Sequence, residues 1–306
     1  MVLITHDEST FYANDRRKTR WVHESEKATP NPKGEGVSIM VSDFCSPDLG
    51  WLRSKDGKEE ARVVFKAGKG RDGYFTNEDL LAQTEKAIEL FEDNFPGNAI
   101  AAFAYDNATT HQKHAEDALS AHKAPKFPKI WPEKNGQQGC KMRDGCFSNK
   151  QPQSLYFPED HPQHPGLFKG MAIILQERGF HNVANLPAQC AKFKCPDPDE
   201  GMCCCRHILF NQPDFKAQKS ALEELIESHG HLVCFYPKFH CELNFIEQCW
   251  GYAKYHYQML PLTKKEGQME ENIRNCLDRV DINKIHRYIS ISLNAVASNN
   301  IFQICQ

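Results

Sequence analysis

The stretch from residue 231 to 257, HLVCFYPKFHCELNFIEQCWGYAKYHY, places a short apolar strand directly before a helix. The run from Leu232 to Tyr236 has the length of a buried strand, and Pro237 ends it. Asn244 is a candidate cap for a helix that carries Glu247 in its first turn and Trp250 one turn later. A glutamate in a first turn can simply complement the helix dipole. Glu247 therefore indicates a functional site only if other acids occupy comparable places.

Two other acids do follow predicted strands. An apolar N-terminal strand, Val2 to Thr5, leads into Asp7, and the segment AIAAFAY over 99–105 leads into Asp106. The second segment is apolar on both faces, as is typical of a central parallel strand. Because the carboxyl ends of parallel strands meet at one sheet edge, we expect Asp7, Asp106 and Glu247 to lie close together.

Three neighbouring carboxylates repel one another unless cations join them. Mg²⁺ and Mn²⁺ prefer oxygen ligands of this kind. Two such ions, ~3.5–4 Å apart, can activate a water or hydroxyl and stabilise a leaving oxygen at phosphorus. The acids therefore predict a site for divalent cations and phosphoryl chemistry.

The rest of the chain predicts an α/β fold. Strands over 36–44 and 62–66 favour an antiparallel start. The predicted helices cover 77–95 with Asn77 as cap, 110–122, 165–179, 216–229 ended by Gly230, 269–280 and 282–297. Residues 123–165 are rich in Pro, Gly, Lys and Asn, which indicates an insertion or a functional loop.

Composition excludes some partners. The 306 residues carry a formal charge of −3, so the chain is no polycation, and nucleic acid would have to meet local basic patches or metal ions. No apolar run approaches a membrane span and no signal-peptide pattern is present, so we expect no membrane partner. Arg16, Arg17, Lys18 and Arg20 form a predicted hairpin tip that is a candidate DNA contact, and a solvated turn is the equal alternative.

The 13 cysteines are an odd number in a chain without an export signal, which favours reduced thiols or metal ligands over a disulfide framework. Five of them fall between positions 190 and 205. Candidate ligands for one structural Zn²⁺ are Cys190, Cys195, Cys203, Cys205 and His207. The alternative is a reduced thiol cluster, because three adjacent cysteines cannot all face one ion easily.

Three strings of residues resemble the acid motifs of mariner-type DDE transposases. The first is Thr5-His6-Asp7-Glu8-Ser9-Thr10-Phe11, and the second is Tyr105-Asp106-Asn107-Ala108 followed by His111. The third is Glu242-Leu243-Asn244-Phe245-Ile246-Glu247-Gln248-Cys249-Trp250-Gly251. The likeness spans about Val2 to Tyr257 with one large interruption, and it is greater still to the DDE endonuclease domains that are abundant in fungal genomes.

The resemblance implies an RNase H-like fold, with a mixed five-stranded sheet flanked by helices and a Cys-rich insertion between strands four and five. The expected domains are a first part of the core over 1–122, the insertion over 123–215, a second part of the core over 216–260 and C-terminal helices over 261–306. Asp7, Asp106 and Glu247 would hold two Mg²⁺ or Mn²⁺ ions. The implied reaction is hydrolysis of DNA phosphodiesters followed by transfer of the freed 3′ end into target DNA, in the nucleus. His6, Glu8, Asn107 and His111 would be neighbours without an assigned role.

Two features depart from the family pattern. Between Asp106 and Glu247 lie 140 residues, where the mariner group has a few tens. The chain also begins at the catalytic strand, where such transposases carry helix-turn-helix modules, so we expect a truncated gene, a relic, or reliance on a separate N-terminal DNA-reading protein, with a homodimer also open. The alternatives to a transposase are a non-catalytic relic that binds nucleic acid or protein, and an RNase H-like nuclease that prefers RNA–DNA hybrids.

Overall fold

The computed structural model describes residues 1–15, 23–25, 33–97, 99–196, 202–263 and 265–298. The predicted basic tip, Arg16, Arg17, Lys18 and Arg20, lies outside these ranges. The chain divides into two compact units, which we call unit 1 (Met1–Lys113 with Ala221–Gln306) and unit 2 (His114–Ser220). The insertion was predicted over 123–215, and unit 2 extends beyond both of these edges.

The described strands and helices follow one another in this order. The strands are β1 (Val2–Tyr12), β2 (Ser38–Ser46), β3 (Gly50–Trp51), β4 (Val63–Phe65), β5 (Ala101–Tyr105), β6 (Glu133–Lys134), β7 (Gln137–Gln138), β8 (Gly145–Cys146), β9 (Pro152–Gln153) and β10 (Leu232–Phe235). The helices are α1 (Asn77–Asn94), α2 (Met171–Glu177), α3 (Cys205–Phe210), α4 (Pro213–Lys216), α5 (Ala221–Ser228), α6 (Ile246–Tyr257), α7 (Glu266–Leu277) and α8 (Ile282–Ser298). Short 3-10 helices cover Val183–Asn185, Ala191–Phe193 and Cys241–Leu243. None of the described helices is long and apolar enough to cross a membrane.

Unit 1 contains a mixed sheet with the strand order β10-β5-β1-β2-β3, and β4 also pairs with β2. The strands β10, β5 and β1 are parallel, whereas β2 pairs with β1, β3 and β4 in antiparallel fashion. The predicted mixed α/β sheet with an antiparallel start is therefore confirmed. It has six strands where five were expected, because the chain turns at Asp48–Leu49 and forms the two-residue strand β3.

The register of the parallel strands brings two predicted acids level with each other. β1 pairs with β5 from Val2↔Ala101 to Thr5↔Ala104. Continuing that register by two residues places Asp106 beside Asp7, and residues that are level in parallel strands face the same side. β1 does not end at Asp7 as predicted, because its second half continues as a partner of β2 as far as Tyr12↔Ser38. Asp7 thus lies where β1 extends past the end of β5.

Helices cover both faces of this sheet. One core cluster joins β1 and β2 residues such as Phe11 and Ile39 to Trp250 of α6 and Ile273 of α7. The cluster on the other face joins Ile4, Phe44 and Phe103 to Leu80 of α1 and Leu222 of α5. The sheet is therefore the middle layer of unit 1, and its strand ends form an exposed edge.

Several predicted details of the helices are wrong. The helix predicted over 216–229 begins only at Ala221, since Pro213–Lys216 form the separate helix α4. Thr76, not Asn77, caps α1, in a capping box with Asp79, because the hydroxyl oxygen of Thr76 accepts the backbone N–H three residues on. Residues 110–122 form turns instead of a helix, and α2 begins at Met171 instead of Pro165. The predicted end of α5 is confirmed, since Gly230 adopts φ 78° and its N–H donates to the carbonyl of Glu227.

Unit 2 has its own core and little regular structure. Its buried residues come from loops and from α2, α3 and α4, and they include Leu155, Phe168, Leu175, Ile208 and Phe215. A buried ion pair joins Arg178 to Asp214 with 2.7 Å between Nη2 and Oδ2, and the backbone N–H of Cys146 donates to the same carboxylate at 2.8 Å. These two contacts join α4 to the end of α2 and to β8.

Candidate active site

One cleft in unit 1, of about 260 Å³, is lined by all three predicted acids. Asp7 comes from β1, Asp106 from the end of β5 and Glu247 from the first turn of α6. The other residues that line the cleft are Asn107, Ala108, Tyr236, Pro237, Lys238, Phe239, His240, Cys241 and Asn244. Residues that are far apart in the sequence thus meet at the carboxyl edge of the parallel strands.

Asp7 is a buried carboxylate whose charge is only partly compensated. It is 7% exposed, and its Oδ2 accepts a hydrogen bond from Nε1 of Trp250 at 3.0 Å. Burial, and then repulsion from Glu247 and Glu8, raises the pKa of Asp7 to about 8. A bound cation would remove the cause of this shift, because it would compensate the buried charge.

Asp106 is held by an imidazole. Its Oδ1 lies 2.6 Å from Nδ1 of His111, and Nε2 of the same ring lies 3.5 Å from Oε1 of Glu8. Burial disfavours the charged ring, but the hydrogen bond to Asp106 and the nearby carboxylate of Glu8 outweigh burial and raise the pKa of His111 to about 10. The hydrogen bond from His111 in turn lowers the pKa of Asp106 below its ordinary value. Asp106 is therefore an ionised and oriented carboxylate.

Glu247 is positioned by contacts between the start of α6 and β1. Asn244 was the predicted helix cap, but α6 begins after Phe245 and has no side-chain cap. The Asn244 amide instead accepts a hydrogen bond from Thr5 Oγ1 and donates to the carbonyl of His6 at 3.3 Å. Burial and the nearby Asp106 raise the pKa of Glu247, although Lys254 opposes this.

Packing of two indole rings and a guanidinium supports the Asp7 side of the cleft. The indole of Trp250 packs on Trp51 with 5.3 Å between ring centroids. The buried guanidinium of Arg62 lies 5.3 Å from the Trp51 ring and pairs with Asp43 at 2.6 Å. Asp43 is the cross-strand partner of Asp7, so Arg62 neutralises the acid that would otherwise repel Asp7 from the neighbouring strand.

The rim of the cleft consists of the loop between β10 and α6. Tyr236 is fixed at its base, with 3.1 Å between its hydroxyl and Thr5 Oγ1. Phe239 is 99% exposed and has φ 69°, a left-handed conformation that side chains with a Cβ rarely adopt. Lys238 and His240 flank it. The rim therefore presents an aromatic ring and a cation to solvent beside the acids.

The donor atoms of the acids are spread along the cleft. Among the described residues, two groups of three or more ligand atoms lie within 4.8 Å of one another, and the three acids do not form a third group. One of the two is His6, Glu8 and His111, and His111 also contacts Asp106. His6 is fully buried, and burial lowers its pKa to about 4, so it is neutral.

The second compact group lies in unit 2 and consists of Cys190, Cys195, Cys203 and Cys204. It contains three of the predicted zinc ligands but has Cys204 in the place of Cys205. The thiol of Cys205 is buried and donates to the carbonyl of Val183 at 3.3 Å, inside the core of unit 2. His207 lies beside the group, with 3.3 Å between its Nδ1 and the sulfur of Cys203.

Sequence reasoning missed the residues that hold the acids in place. Trp250 was recognised as a helix anchor, but its hydrogen bond to Asp7 spans 243 positions and has no local signal. The same holds for Asn244 and for Tyr236, which reach Thr5 across the sheet edge. The 3.6-residue spacing that places Glu247 and Trp250 on the same side of α6 is the one signal that pointed toward this arrangement.

Solved structures of the Mos1 mariner transposase are similar to part of this chain. The Mos1 paired-end complex with Mn is 18% identical and has a TM-score of 0.27, with 36% of this chain and 30% of that chain covered. The paired-end complex with Mg is 19% identical at a TM-score of 0.27 with the same coverage. The Mos1 strand transfer complex is 20% identical at a TM-score of 0.26, with 36% of this chain and 28% of that chain covered. The chain thus spans less than a third of the length of these proteins, and no protein-family model and no curated protein matches it.

Proposed function

We propose that unit 1 is a DDE-type endonuclease domain that cleaves DNA phosphodiester bonds with two divalent cations. The observation that carries this proposal is the meeting of Asp7, Asp106 and Glu247 in one cleft, from three separate elements. The raised pKa of buried Asp7 supports it, since a carboxylate that is repelled by its neighbours favours a cation. Carboxylate oxygens spread along a cleft also suit two ions better than one, because the ions lie ~3.5–4 Å apart.

Asp7, Asp106 and Glu247 would hold Mg²⁺ or Mn²⁺ in an RNase H-like fold. When bound, the ions supply activation of the attacking water and stabilisation of the leaving oxygen at phosphorus. Trp250 and His111 hold the carboxylates of Asp7 and Asp106 in fixed orientations. Hydrolysis then adds water across the P–O bond and frees a 3′ hydroxyl, which is the group that strand transfer into target DNA requires.

The rim of the cleft supplies the contacts that a DNA strand needs in this proposal. Lys238 is placed to pair with a backbone phosphate, and Phe239 offers a ring on which a base can stack. The proposed partner is therefore DNA. A nuclear location, a homodimer and a separate N-terminal DNA-reading protein are further proposals. A catalytically inactive relic would keep the same fold and surface, so activity must be measured.

The test is cleavage of supercoiled plasmid by the purified chain with Mn²⁺ or Mg²⁺. We expect nicked and linear products that need the cation, and Asp106→Asn should reduce their rate at least about a hundredfold, because it removes a charged metal ligand. Asp56→Asn is the matched control, since it makes the same chemical change on an exposed turn between β3 and β4. Equal rates for the wild type and Asp106→Asn, or a rate independent of the cation, would contradict the proposal.

A substrate panel separates this activity from the hybrid-cutting alternative. Matched labelled duplexes of DNA–DNA and RNA–DNA are incubated under the same conditions. The proposal expects faster cleavage of the DNA duplex, and a strong preference for the hybrid would replace DNA by RNA as the substrate class.

A further inference from the structure

We propose that unit 2 binds one structural zinc ion through the thiolates of Cys190, Cys195, Cys203 and Cys204. The inference is independent of the proposed nuclease, because all four residues and their contacts lie within unit 2. It also differs from the ligand set that the spacing of the cysteines favours, which contains Cys205 and His207.

The positions of the sulfur atoms meet the requirements of a tetrathiolate site. All four Sγ atoms lie within 4.8 Å of one another, and all four cysteines are free thiols. Zinc–sulfur bonds of about 2.3 Å in a tetrahedron place the sulfurs about 3.8 Å apart. A small inward movement of the thiolates therefore completes the site without a rearrangement of the backbone.

The chain separates its three consecutive cysteines by local conformation. Cys204 is extended, with φ −158° and ψ 156°, and is the last residue before α3. Cys205 begins α3, and its thiol is fully buried against Val183. Cys203 and Cys204 reach the cluster from the segment before the helix, which resolves the difficulty of three adjacent ligands.

Polar groups of His207 and Arg206 surround two of the four sulfurs. The backbone N–H of His207 donates to the sulfur of Cys204 at 3.4 Å, and Nδ1 of its ring lies 3.3 Å from the sulfur of Cys203. In this arrangement His207 is a hydrogen-bond partner of a ligand, which is the usual role of the groups that surround a metal centre. Arg206 is anchored on the carbonyls of Ala121 and Ala124 and places a positive charge beside the cluster.

The backbone between the first two ligands is strained in a way that a bound ion would explain. Lys192 and Phe193 both have positive φ, 53° and 59°, although neither is glycine. Such conformations cost free energy and persist where the surroundings fix them. A metal that joins Cys190 and Cys195 across this turn would fix them.

The first measurement is the metal content of the full chain, purified in the reduced state without chelators. We expect about one zinc per chain, and X-ray absorption at the zinc edge should report four sulfur neighbours and no nitrogen. The absorption result needs no variant, so it distinguishes four thiolates from a set with a histidine nitrogen even where a substitution impairs folding. Protein that stays free of zinc after reduction and incubation with Zn²⁺, or a site with a nitrogen ligand, would overturn the proposal.

Adjacent cysteines provide the matched variants. Cys204→Ser should weaken zinc affinity roughly a hundredfold, since one of four thiolates is lost. Cys205→Ala should keep one zinc per chain and lower only the melting temperature, because its thiol lies in the core. His207→Gln should also keep the zinc, and Cys146→Ser, at an exposed cysteine, controls for the loss of any thiol. Loss of zinc in Cys205→Ala with retention in Cys204→Ser would restore the other ligand set and refute this one.

Discussion

The buried side chain of Asp7 lowers the stability of the fold in order to serve the proposed cation site. Its side chain is buried, with one indole N–H as donor and two glutamates nearby. The folded protein therefore holds this group in a place where the charged form is disfavoured, and the pKa rises from 3.8 to about 8. In the proposed site, such a residue would destabilise the metal-free fold and become favourable when a cation binds.

This imbalance predicts the pH dependence of stability. Because the folded pKa is raised, the favourable contribution of protonated Asp7 is fully present below about pH 4 and is lost as the pH rises to about 8. Without divalent cations, Asp7→Asn should therefore gain stability relative to the wild type across this range, on the order of several kcal/mol at about 1.4 kcal/mol per pKa unit. Denaturant unfolding at a series of pH values, with chelator present, measures the difference.

The change in stability on addition of a divalent cation is the control for this prediction. The side-chain amide introduced by Asp7→Asn can still accept the hydrogen bond from Trp250, so the packing of the site is retained. Mn²⁺ should stabilise the wild type near pH 8 and leave the variant almost unchanged. A constant difference between the two proteins from about pH 4 to about pH 8 would mean that Asp7 is not the buried, repelled carboxylate described above.

At the scale of elements, the short segment before α6 determines where Glu247 points. Asn244 links this segment to β1 through Thr5 and the carbonyl of His6, whereas the helix itself starts without a side-chain cap. Asn244→Ala should leave α6 helical but free its first turn from the sheet. We expect Mn²⁺ affinity to fall about tenfold, together with a loss of about 1–3 kcal/mol for the unpaired buried groups.

Asn94→Ala is the matched control for that variant. The Asn94 amide donates to the carbonyls of Arg53 and Leu90, at 2.7 and 2.8 Å, at the end of α1. Both variants lose two hydrogen bonds of one amide, so both should lower the melting temperature. Calorimetric titration with Mn²⁺ distinguishes them. Equal affinities of the two variants for Mn²⁺ would mean that Asn244 contributes to stability alone.

Some strands and helices could be predicted from the sequence, and others could not. Strongly periodic or apolar segments such as α1, β5 and β10 were predicted nearly in place, because hydrophobic pattern determines them locally. The predicted burial of β10 is wrong, since it is the partly exposed edge strand of the sheet. The helix predicted over 110–122 fails since its apolar spacing is overridden by turns around the His111 contacts with Asp106 and Glu8. The extra length of β1 and the choice of Cys204 over Cys205 depend on partners that are distant in sequence, so no local pattern contains them.

At the scale of the whole molecule, the described residues contain two candidate metal sites, one in each unit. The acid cleft is built on the sheet of unit 1. The thiol cluster joins loops of unit 2, whose strands are short. We therefore expect a metal cross-link to contribute more to the stability of unit 2 than to that of unit 1, because short strands and irregular loops stabilise a fold weakly.

This difference predicts where each metal protects the chain from hydrogen exchange. Removal of zinc by a chelator should accelerate amide exchange within residues 183–210, as the loops around Cys190 and Cys204 lose their cross-link. Addition of Mn²⁺ should slow exchange at the first turn of α6 and at β1 around Asp7, because the repulsion between the acids is relieved. Exchange followed by mass spectrometry in the wild type, Cys204→Ser and Asp7→Asn assigns each effect to its site. Two outcomes would contradict the assignment, since each response depends on the ligands of its own site. One is slower exchange of α6 with Mn²⁺ in Asp7→Asn. The other is unchanged exchange over 183–210 when zinc is removed from the wild type.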